Sequence, residues 1–298
     1  MDSFPIRYVE PVYRPPSEAD SLILPLTDGC SWNRCTFCEM YTAPQKKFRP
    51  RDEAEILASL RNCRDAYGDQ VRRIFLADGD AMSLSTRRLV AALAAIRREL
   101  PSVRRVSSYC LPRNVAKKSV EELKELATLG LSLVYVGAES GDDEVLARVN
   151  KGETFASTLE ALHKLREAGI KRSVMILNGL GGTTLSHRHA LNSALLMNEA
   201  QPEFLATLVV SFPKGEARFR EKFADFAPLD IFGLIGEMER FLSALELKRT
   251  VFRSDHASNW LVLKGTLGAD KDRLLQQLRA ALASPESAPL RPAWARGL

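Results

Sequence analysis

The order of apolar and amphipathic segments constrains the fold of this chain more than any other feature. Short apolar runs, each long enough for a buried strand, alternate with longer stretches whose apolar residues recur at helical spacing. Such alternation is typical of a parallel sheet whose strands are joined by crossover helices. The six predicted strand–helix units begin with strands at residues 21–26, 73–77, 103–109, 131–138, 172–177 and 204–212.

Two architectures fit this alternation, an open doubly wound sheet and a barrel. The units follow one another without a reversal of strand order, which favours an α/β fold with a six-unit partial (βα) TIM-type barrel. In either architecture ligands gather at the carboxyl ends of the strands. Those ends carry the unusual residues of this chain, at positions 28–38, 78–80, 110, 139 and 178–182.

The alternation stops after Pro228, and we expect four regions along the chain. A helix at 230–246, short strands at 250–252 and 260–263, and a helix at 271–283 predict a small C-terminal α+β extension. The four regions are an N-terminal arm (1–20), the core (21–228), the extension covering the open side of the barrel (229–284) and a Pro- and Ala-rich flexible tail (285–298).

Composition narrows the class of protein. Hydrophobic residues make up 45% and charged residues 27% of the chain, as in ordinary globular proteins. No apolar run approaches the roughly 20 residues that cross a bilayer, and the first residues lack the features of a secretory signal. Five cysteines, an odd number, argue against a disulfide framework and predict a reduced, cytoplasmic protein without a membrane partner.

The charge distribution bears on the partners of the chain. A net charge of +5 is compatible with an anionic substrate. Lys46, Lys47, Arg49 and Arg51 form a basic run that is either a solvated face or a surface that steers such a substrate. A single interleaved aromatic residue, Phe48, does not support nucleic-acid binding.

Three cysteines, Cys30, Cys35 and Cys38, follow the first predicted strand in the spacing C-x4-C-x2-C. Three thiolates on one loop can bind one face of a metal cluster, and a four-iron cluster with three protein ligands keeps one iron open for a substrate or cosubstrate. The alternative is a zinc-stapled loop, which needs a fourth ligand. The four histidines, at positions 163, 187, 189 and 256, are all distant in sequence.

With this loop the sequence resembles the radical S-adenosylmethionine superfamily, which carries three cysteines after the first strand of a six-unit partial barrel. Phe37 fills the aromatic position before the third cysteine, whereas the first gap is one residue longer than the commonest spacing, C-x3-C-x2-C. The resemblance covers residues 21–213 and looks closest to the branch of the elongator catalytic subunit and the oxygen-independent coproporphyrinogen oxidase. It implies a 4Fe–4S cluster held by Cys30, Cys35 and Cys38.

Further motifs occur in the order of the family and imply a pocket for S-adenosylmethionine. Asp78-Gly79-Asp80 stands where the family holds the methionine amino group, and Glu139 where it binds the ribose hydroxyls. Lys151 replaces the arginine that pairs with the methionine carboxylate and offers a point charge instead of a bidentate fork. A glycine-rich turn after the fifth strand lets backbone approach the adenine. The implied cofactor-binding residues are Phe37, Asp78, Gly79, Asp80, Glu139, Lys151, Asn178 and Gly179.

Each of the two candidate catalytic residues has two alternative interpretations. Cys110, at the predicted mouth of the barrel, is either a substrate-facing thiol or a small buried residue, which is the commoner case. His256 lies in a polar turn, 253–259, and either contacts the substrate or cluster or belongs to a hydrogen-bonded turn. His187 and His189, two residues apart near a helix start, are predicted to be surface residues.

The resemblance also implies a reaction. Electron transfer into S-adenosylmethionine yields methionine and a 5′-deoxyadenosyl radical, which abstracts hydrogen from a substrate that the sequence does not identify. An electron donor such as flavodoxin or ferredoxin is implied as a partner. The alternative is an iron–sulfur binding or delivery protein on the same scaffold, without radical chemistry. Asp78, Asp80, Glu139 and Lys151 argue against it, because cluster storage needs no methionine pocket.

We predict that replacing Cys30, Cys35 and Cys38 together by alanine abolishes iron binding, because thiolates are the ligands of iron–sulfur clusters. Iron is counted after anaerobic reconstitution. The matched control is Cys63→Ala, which removes a cysteine from a predicted helix and should keep the wild-type iron content. Retention of about four irons by the triple variant would show that the cluster ligands lie elsewhere.

Overall fold

The fold is α/β in a computed structural model, which describes residues 4–297. Within those residues, an eight-stranded sheet joins its strands in the order in which they occur along the chain. The strands are β1 (Leu22–Pro25), β2 (Arg73–Ala77), β3 (Arg105–Cys110), β4 (Leu131–Glu139), β5 (Lys171–Asn178), β6 (Phe204–Val209), β7 (Val251–Ser254) and β8 (Leu263–Thr266).

The sheet is mostly parallel. Strands β1 to β4 pair in parallel, as do β5 to β7, whereas β7 and β8 form an antiparallel pair. The helices of residues 4–297 are α1 (Glu53–Tyr67), α2 (Thr86–Glu99), α3 (Pro112–Ala116), α4 (Val120–Thr128), α5 (Asp143–Arg148), α6 (Phe155–Glu167), α7 (Gly182–Ala200), α8 (Ala217–Arg220), α9 (Ile231–Ala244) and α10 (Lys271–Ala283).

The predicted α/β fold with a parallel sheet and crossover helices is confirmed. Strand β2 and helix α10 agree with the prediction residue for residue, and β4 ends one residue later than predicted. The sequence also predicts a helix over 155–168 that ends at Gly169, and α6 ends one residue earlier. These elements carry the clearest sequence signals, an apolar run between polar segments or a periodic stretch ended by glycine.

Several elements differ from the prediction, among them β6, β8 and α3. Strand β6 ends at Val209 instead of residue 212, because the Phe212 ring packs against Phe219 with centroids 4.6 Å apart. Strand β8 begins three residues late, because the Asn259 side chain donates to the Thr207 carbonyl and holds the preceding residues in a turn. Helix α3 was not predicted, although Pro112 stands at its start, where proline suits a first helical turn.

The chain divides into two compact units. The first comprises residues up to 33, 38–136 and 163–172, and the second comprises residues 34–37, 137–162 and those from 173 onward. In the first unit α1 contacts β1 and α2, and α2 contacts α4. Helix α2 buries Leu89, Leu93 and Ile96, the face that its sequence predicts, and α4 begins with a capping box.

A buried ionic cluster ties the N-terminal arm to the strands of the first unit. The Glu18 carboxylate is fully buried and accepts hydrogen bonds from Ser21, from the Arg105 guanidinium at 2.8 Å and from the Tyr135 hydroxyl at 2.6 Å. Burial raises the pKa of Glu18, but these hydrogen bonds outweigh burial and lower it below the ordinary value of 4.5. The arm is therefore anchored through a charged group that must stay ionised.

In the second unit α7 contacts α9, and α9 contacts α10. The residues of the predicted flexible tail make specific contacts in the structure. Arg291 donates hydrogen bonds to the Asn259 and Asp255 carbonyls, and the Arg296 guanidinium lies 3.8 Å from the centroid of the Trp260 ring. Among the described residues, no helix combines the length and the apolar character that a membrane span requires.

We predict that Glu18→Gln lowers the free energy of unfolding by about 2–3 kcal/mol at neutral pH, because the Arg105 charge loses its buried partner. Urea unfolding under anaerobic conditions measures the change, and the exposed Glu125→Gln is the control. Since the pKa of Glu18 is lowered on folding, its stabilisation is present above the unfolded pKa and is lost as the pH falls through the folded pKa. The difference between wild type and variant must therefore shrink on acidification, and a difference that is constant with pH contradicts this role.

Candidate active site

The cysteine loop comprises residues 27–38. Its first part is fixed to the end of β2. The Asp78 backbone N–H donates to the Thr27 carbonyl at 3.0 Å, and the Thr27 hydroxyl donates to the Asp78 carbonyl at 2.8 Å. A Cβ at Gly79 would collide with the Gly29 carbonyl oxygen, and Gly79 has φ = +79°. Glycine is therefore required where the loop and the end of β2 approach each other.

Asp78 is a buried carboxylate with one oxygen engaged. Its Oδ2 accepts from the fully buried Lys46 ammonium, and its Oδ1 has no hydrogen-bond partner among residues 4–297. Burial raises the pKa of Asp78, and interactions with the Lys46 ammonium and the Tyr41 hydroxyl only partly offset it. An unpartnered buried acceptor is costly, so Asp78 Oδ1 is a natural place for a ligand donor to bind.

Asp80 is also buried, but both of its carboxylate oxygens are engaged. Oδ2 accepts from the hydroxyl of Ser31, the residue after Cys30, and Oδ1 accepts from the side-chain amide of Asn114 on α3. Burial raises the pKa of Asp80, and the hydrogen bonds from Ser31 and Asn114 counteract it. Asp80 thus connects the cysteine loop to a helix that was not predicted.

The basic run, interpreted as either a solvated face or a steering surface, is only half exposed: Lys47 and Arg49 are exposed and the other two cations are not, which corrects that interpretation. Lys46 and Arg51 are buried, and the Arg51 guanidinium donates to Asp28 at 2.8 Å. Arg49 donates to the other oxygen of Asp28, also at 2.8 Å. Buried cations require anionic partners, and Asp28 and Asp78 supply them.

The second part of the loop, residues 34–37, contacts the end of α5 in the second unit. The Thr36 backbone N–H donates to the Val149 carbonyl at 3.0 Å, and the Asn150 side chain donates to the Arg34 carbonyl at 3.1 Å. Phe37 packs against an apolar cluster that includes Val149 and Phe223. The loop residues just before Cys38 are therefore fixed by both backbone and apolar contacts.

Three predicted cofactor-binding residues meet in this unit. The Lys151 ammonium donates to Glu139 Oε1 at 3.1 Å and lies 5.9 Å from the centroid of the Phe37 ring, a cation–π distance. The side chains of Lys151 and Glu139 are only 4% and 10% exposed. A Cβ at Gly137 would collide with Glu139 Oε1, so the missing side chain of Gly137 makes room for this ion pair.

The glycine-rich turn after β5, which the resemblance places beside the adenine, is fixed by α9. The Asn178 side chain donates to the Leu234 carbonyl at 3.1 Å, and the Gly179 backbone N–H donates to Glu237 Oε1 at 2.6 Å. Glu237 is buried on α9, and its Oε2 has no hydrogen-bond partner in the described part of the chain. The sequence did not single out Glu237, because only the packing of α9 brings it to Gly179.

His189 is buried, which corrects the prediction that it is a surface residue. Its Nδ1 lies 2.8 Å from the Ser140 hydroxyl, and its Nε2 lies 3.8 Å from Glu237 Oε1. Leu185, His189, Ser193 and Met197 are all buried at a spacing of four along α7. That spacing was the available signal, since residues four apart share one helix face. His187 is exposed, as predicted.

The two candidate catalytic residues have local partners. Cys110 is buried, and its thiol donates to the Leu111 carbonyl at 3.5 Å. His256 Nδ1 accepts from the Ser258 backbone N–H at 3.1 Å, so the neutral ring carries its proton on Nε2. Burial lowers the pKa of His256, as does the nearby Arg291 cation, and the neutral ring is favoured.

The donor set fits an iron–sulfur cluster better than a single metal ion. Each of the five cysteines, all within the described residues, is a thiol outside any disulfide. Among residues 4–297, no group of three His, Cys, Asp or Glu side chains is arranged to hold a metal ion. Each cysteine of a cluster binds a different iron, so the thiolates need not converge on one point. The Asn33 backbone N–H also points at Cys30 Sγ, 3.5 Å away.

The chain belongs to the radical SAM superfamily, because the model of that family matches residues 24–194, more than half of the sequence. Solved structures with a similar fold include a methyltransferase from Kitasatospora setae with a 4Fe–4S cluster bound, with a TM-score of 0.50 at 21% identity, covering 63% of this chain and 36% of that chain. The same enzyme with an analogue of S-adenosylmethionine has a TM-score of 0.50 at 20% identity, covering 62% and 35%. The predicted superfamily is confirmed, and members of it use that cluster and that cosubstrate.

Individual relatives agree with the predicted branch. The chain is 27% identical over 130 residues to the heme chaperone HemW of Bacillus subtilis, covering 43% of this chain and 34% of the relative. It is 23% identical over 109 residues to a tRNA uridine(34) acetyltransferase of Methanocaldococcus infernus, covering 37% and 20%. The matches thus span about a third or less of the length of these curated relatives.

Solved structures show the same fold at low identity. Coproporphyrinogen III oxidase from Escherichia coli has a TM-score of 0.57 at 16% identity, covering 80% of this chain and 53% of that chain. Methylornithine synthase has a TM-score of 0.55 at 15% identity, covering 91% and 74%. The predicted fold class, that of the radical SAM partial barrels, is confirmed by these neighbours.

We predict that Lys151→Ala lowers the free energy of unfolding by about 3 kcal/mol, because Glu139 keeps a buried charge without its partner. The double variant Lys151→Met, Glu139→Gln should be near wild type, because it removes both charges together. Urea unfolding measures all three proteins. Lys124→Ala is the matched control, since Lys124 is half-exposed and 4.0 Å from Glu167. Equal losses for Lys151→Ala and Lys124→Ala would contradict a buried pair.

Proposed function

We propose that this protein is a radical SAM enzyme whose cluster is ligated by Cys30, Cys35 and Cys38. When bound, the reduced 4Fe–4S cluster supplies an electron that cleaves S-adenosylmethionine into methionine and a 5′-deoxyadenosyl radical, which abstracts hydrogen from the substrate. The overall reaction and substrate are not assigned. The chain itself contributes binding, orientation and exclusion of water.

The observation that carries the proposal is the grouping of Glu139, Lys151 and Phe37. A buried carboxylate and ammonium, next to an aromatic residue of the cysteine loop, supply an acceptor for ribose hydroxyls and a cation for the methionine carboxylate. A protein that only carries clusters has no need of this arrangement. We therefore favour the enzyme over an iron–sulfur binding or delivery protein.

The remaining contacts of the cosubstrate are assigned by the same argument. We propose that its ammonium donates to Asp78 Oδ1, the buried acceptor that has no partner among residues 4–297. The backbone at Gly79 and the turn at Asn178 and Gly179 would line the methionine and adenine ends. Cys110 and His256 stay candidates for contacts with the substrate.

The reductant, the cellular location, the charge of the substrate and the regions of the chain are also proposals. We propose a reductant such as flavodoxin or ferredoxin and a cytoplasmic location, where thiols stay reduced. An anionic substrate rests on the net charge alone, because Lys46, Arg49 and Arg51 are paired with carboxylates. We also propose that residues 21–228 form the catalytic core, with an N-terminal arm (1–20), an extension (229–284) and a C-terminal tail (285–298).

The test is a turnover assay without added substrate. Anaerobically reconstituted protein is incubated with dithionite and S-adenosylmethionine, and 5′-deoxyadenosine and methionine are quantified by chromatography. We expect both products in equal amounts, and neither from the triple cysteine variant. A fully loaded cluster that gives no 5′-deoxyadenosine, with or without cell extract as a source of substrate, would favour the delivery protein.

Binding of the cosubstrate tests the pocket separately. Lys151→Ala should weaken binding by at least about 30-fold, the equivalent of about 2 kcal/mol for a lost charged contact. Lys151→Arg preserves the cation and should bind within a few-fold of wild type, which separates charge loss from misfolding. Equilibrium dialysis on cluster-loaded protein measures both. Wild-type affinity in Lys151→Ala would place the methionine carboxylate elsewhere.

A further inference from the structure

The gap between Cys30 and Cys35 is one residue longer than the commonest spacing of the superfamily, so its path must be specified by contacts of its own. Asn33 adopts φ = +41°, a left-handed conformation that asparagine tolerates better than most residues. The Asn33 side-chain amide donates to the Tyr41 carbonyl at 2.8 Å. The longer gap is thus taken up by one left-handed residue with a fixed side chain.

Two further residues of the gap are held from α3 and the end of β2. Ser31 donates to Asp80 Oδ2, and Asn114 on α3 donates to Asp80 Oδ1. The Arg113 guanidinium carbon lies 3.8 Å from the centroid of the Trp32 ring, a close cation–π stack. Neighbouring residues of α3 therefore hold neighbouring residues of the loop.

The contacts of Asp80 favour a positioning role over a direct role in cosubstrate binding. Asp80 and Asn114 are almost completely buried. Both oxygens of Asp80 already accept hydrogen bonds from side chains, whereas Asp78 has an oxygen without a partner in residues 4–297. A carboxylate oxygen can accept two hydrogen bonds, but an ammonium ion gains most at a buried oxygen that has no donor. The two carboxylates therefore have different roles.

We propose that Asp80, Arg113 and Asn114 form a loop clamp that positions the Cys30 side of the cysteine loop for its cluster. In this assignment Asp80 is a positioning residue and not the acceptor for the cosubstrate ammonium. The proposal rests on the proposed function, since it assumes that Cys30 binds the cluster. Groups behind metal ligands fix ligand orientation and commonly change metal affinity by about 10- to 100-fold when they are removed.

The experiment measures how fast a chelator, ferrozine, removes iron from anaerobically reconstituted protein. Ser31→Ala, Asn114→Ala and Asp80→Asn should each release iron about tenfold faster than wild type. Because Ser31 and Asn114 act through one carboxylate, their double variant should accelerate iron release by less than the two single effects combined. Asp20→Asn, an exposed residue outside the clamp, is the control and should release iron at the wild-type rate.

A second readout separates positioning from cosubstrate binding. On freshly loaded Asp80→Asn, affinity for S-adenosylmethionine should stay within a few-fold of wild type. The EPR signal of the reduced cluster should broaden, because the loop samples several conformations. Loss of cosubstrate affinity with an unchanged iron-release rate would overturn the proposal and make Asp80 the ammonium acceptor. A wild-type iron-release rate together with wild-type cosubstrate affinity in Asp80→Asn would also overturn the proposed clamp.

Conservative variants keep the test decisive if the alanine variants do not fold. Arg113→Lys and Trp32→Phe preserve a cation and a ring, so their release rates should lie between wild type and those of Arg113→Met and Trp32→Leu. Equal rates for all four would overturn the Arg113–Trp32 part of the clamp. If the triple cysteine variant keeps its iron, the proposed function fails instead, so the two failures are distinguished.

Discussion

Two buried carboxylates at the end of β2 determine how the first unit is arranged around them. A buried charge needs compensating partners, and Asp78 and Asp80 obtain them from different parts of the chain. Asp78 accepts a hydrogen bond from Lys46, which lies in the segment after the cysteine loop. Asp80 accepts hydrogen bonds from Ser31 of the loop and from Asn114 of α3. The position of the cysteine loop is therefore a consequence of satisfying these two charges.

A second buried pair performs the corresponding task in the second unit. Glu139 at the end of β4 and Lys151 after α5 neutralise each other, and Gly137 leaves the space that the pair occupies. Phe37 of the cysteine loop packs beside the ammonium. In each unit, taken by itself, charged residues at a strand end are oriented by hydrogen bonds to their neighbours, which lowers the cost of ordering them when they act.

Much of the fold and of the candidate site could be predicted from the sequence. Strand β2 and helix α10 have signals strong enough to fix their bounds, and the cysteine spacing with its following motifs identified the superfamily. Helix α3, the late start of β8 and the burial of His189 were missed. Each depends on a partner far along the chain, such as Thr207 for Asn259 or Ser140 for His189.

The sequence by itself determined the chemistry that is available: three thiols on one loop, and carboxylates and a lysine after particular strands. Only the tertiary structure decided which of these groups is already engaged. Asp78 and Asp80 are two residues apart and chemically identical, yet one keeps an unpartnered oxygen within residues 4–297 and the other has none. Hydrogen bonds between residues distant along the chain depend on packing, and local sequence does not encode them.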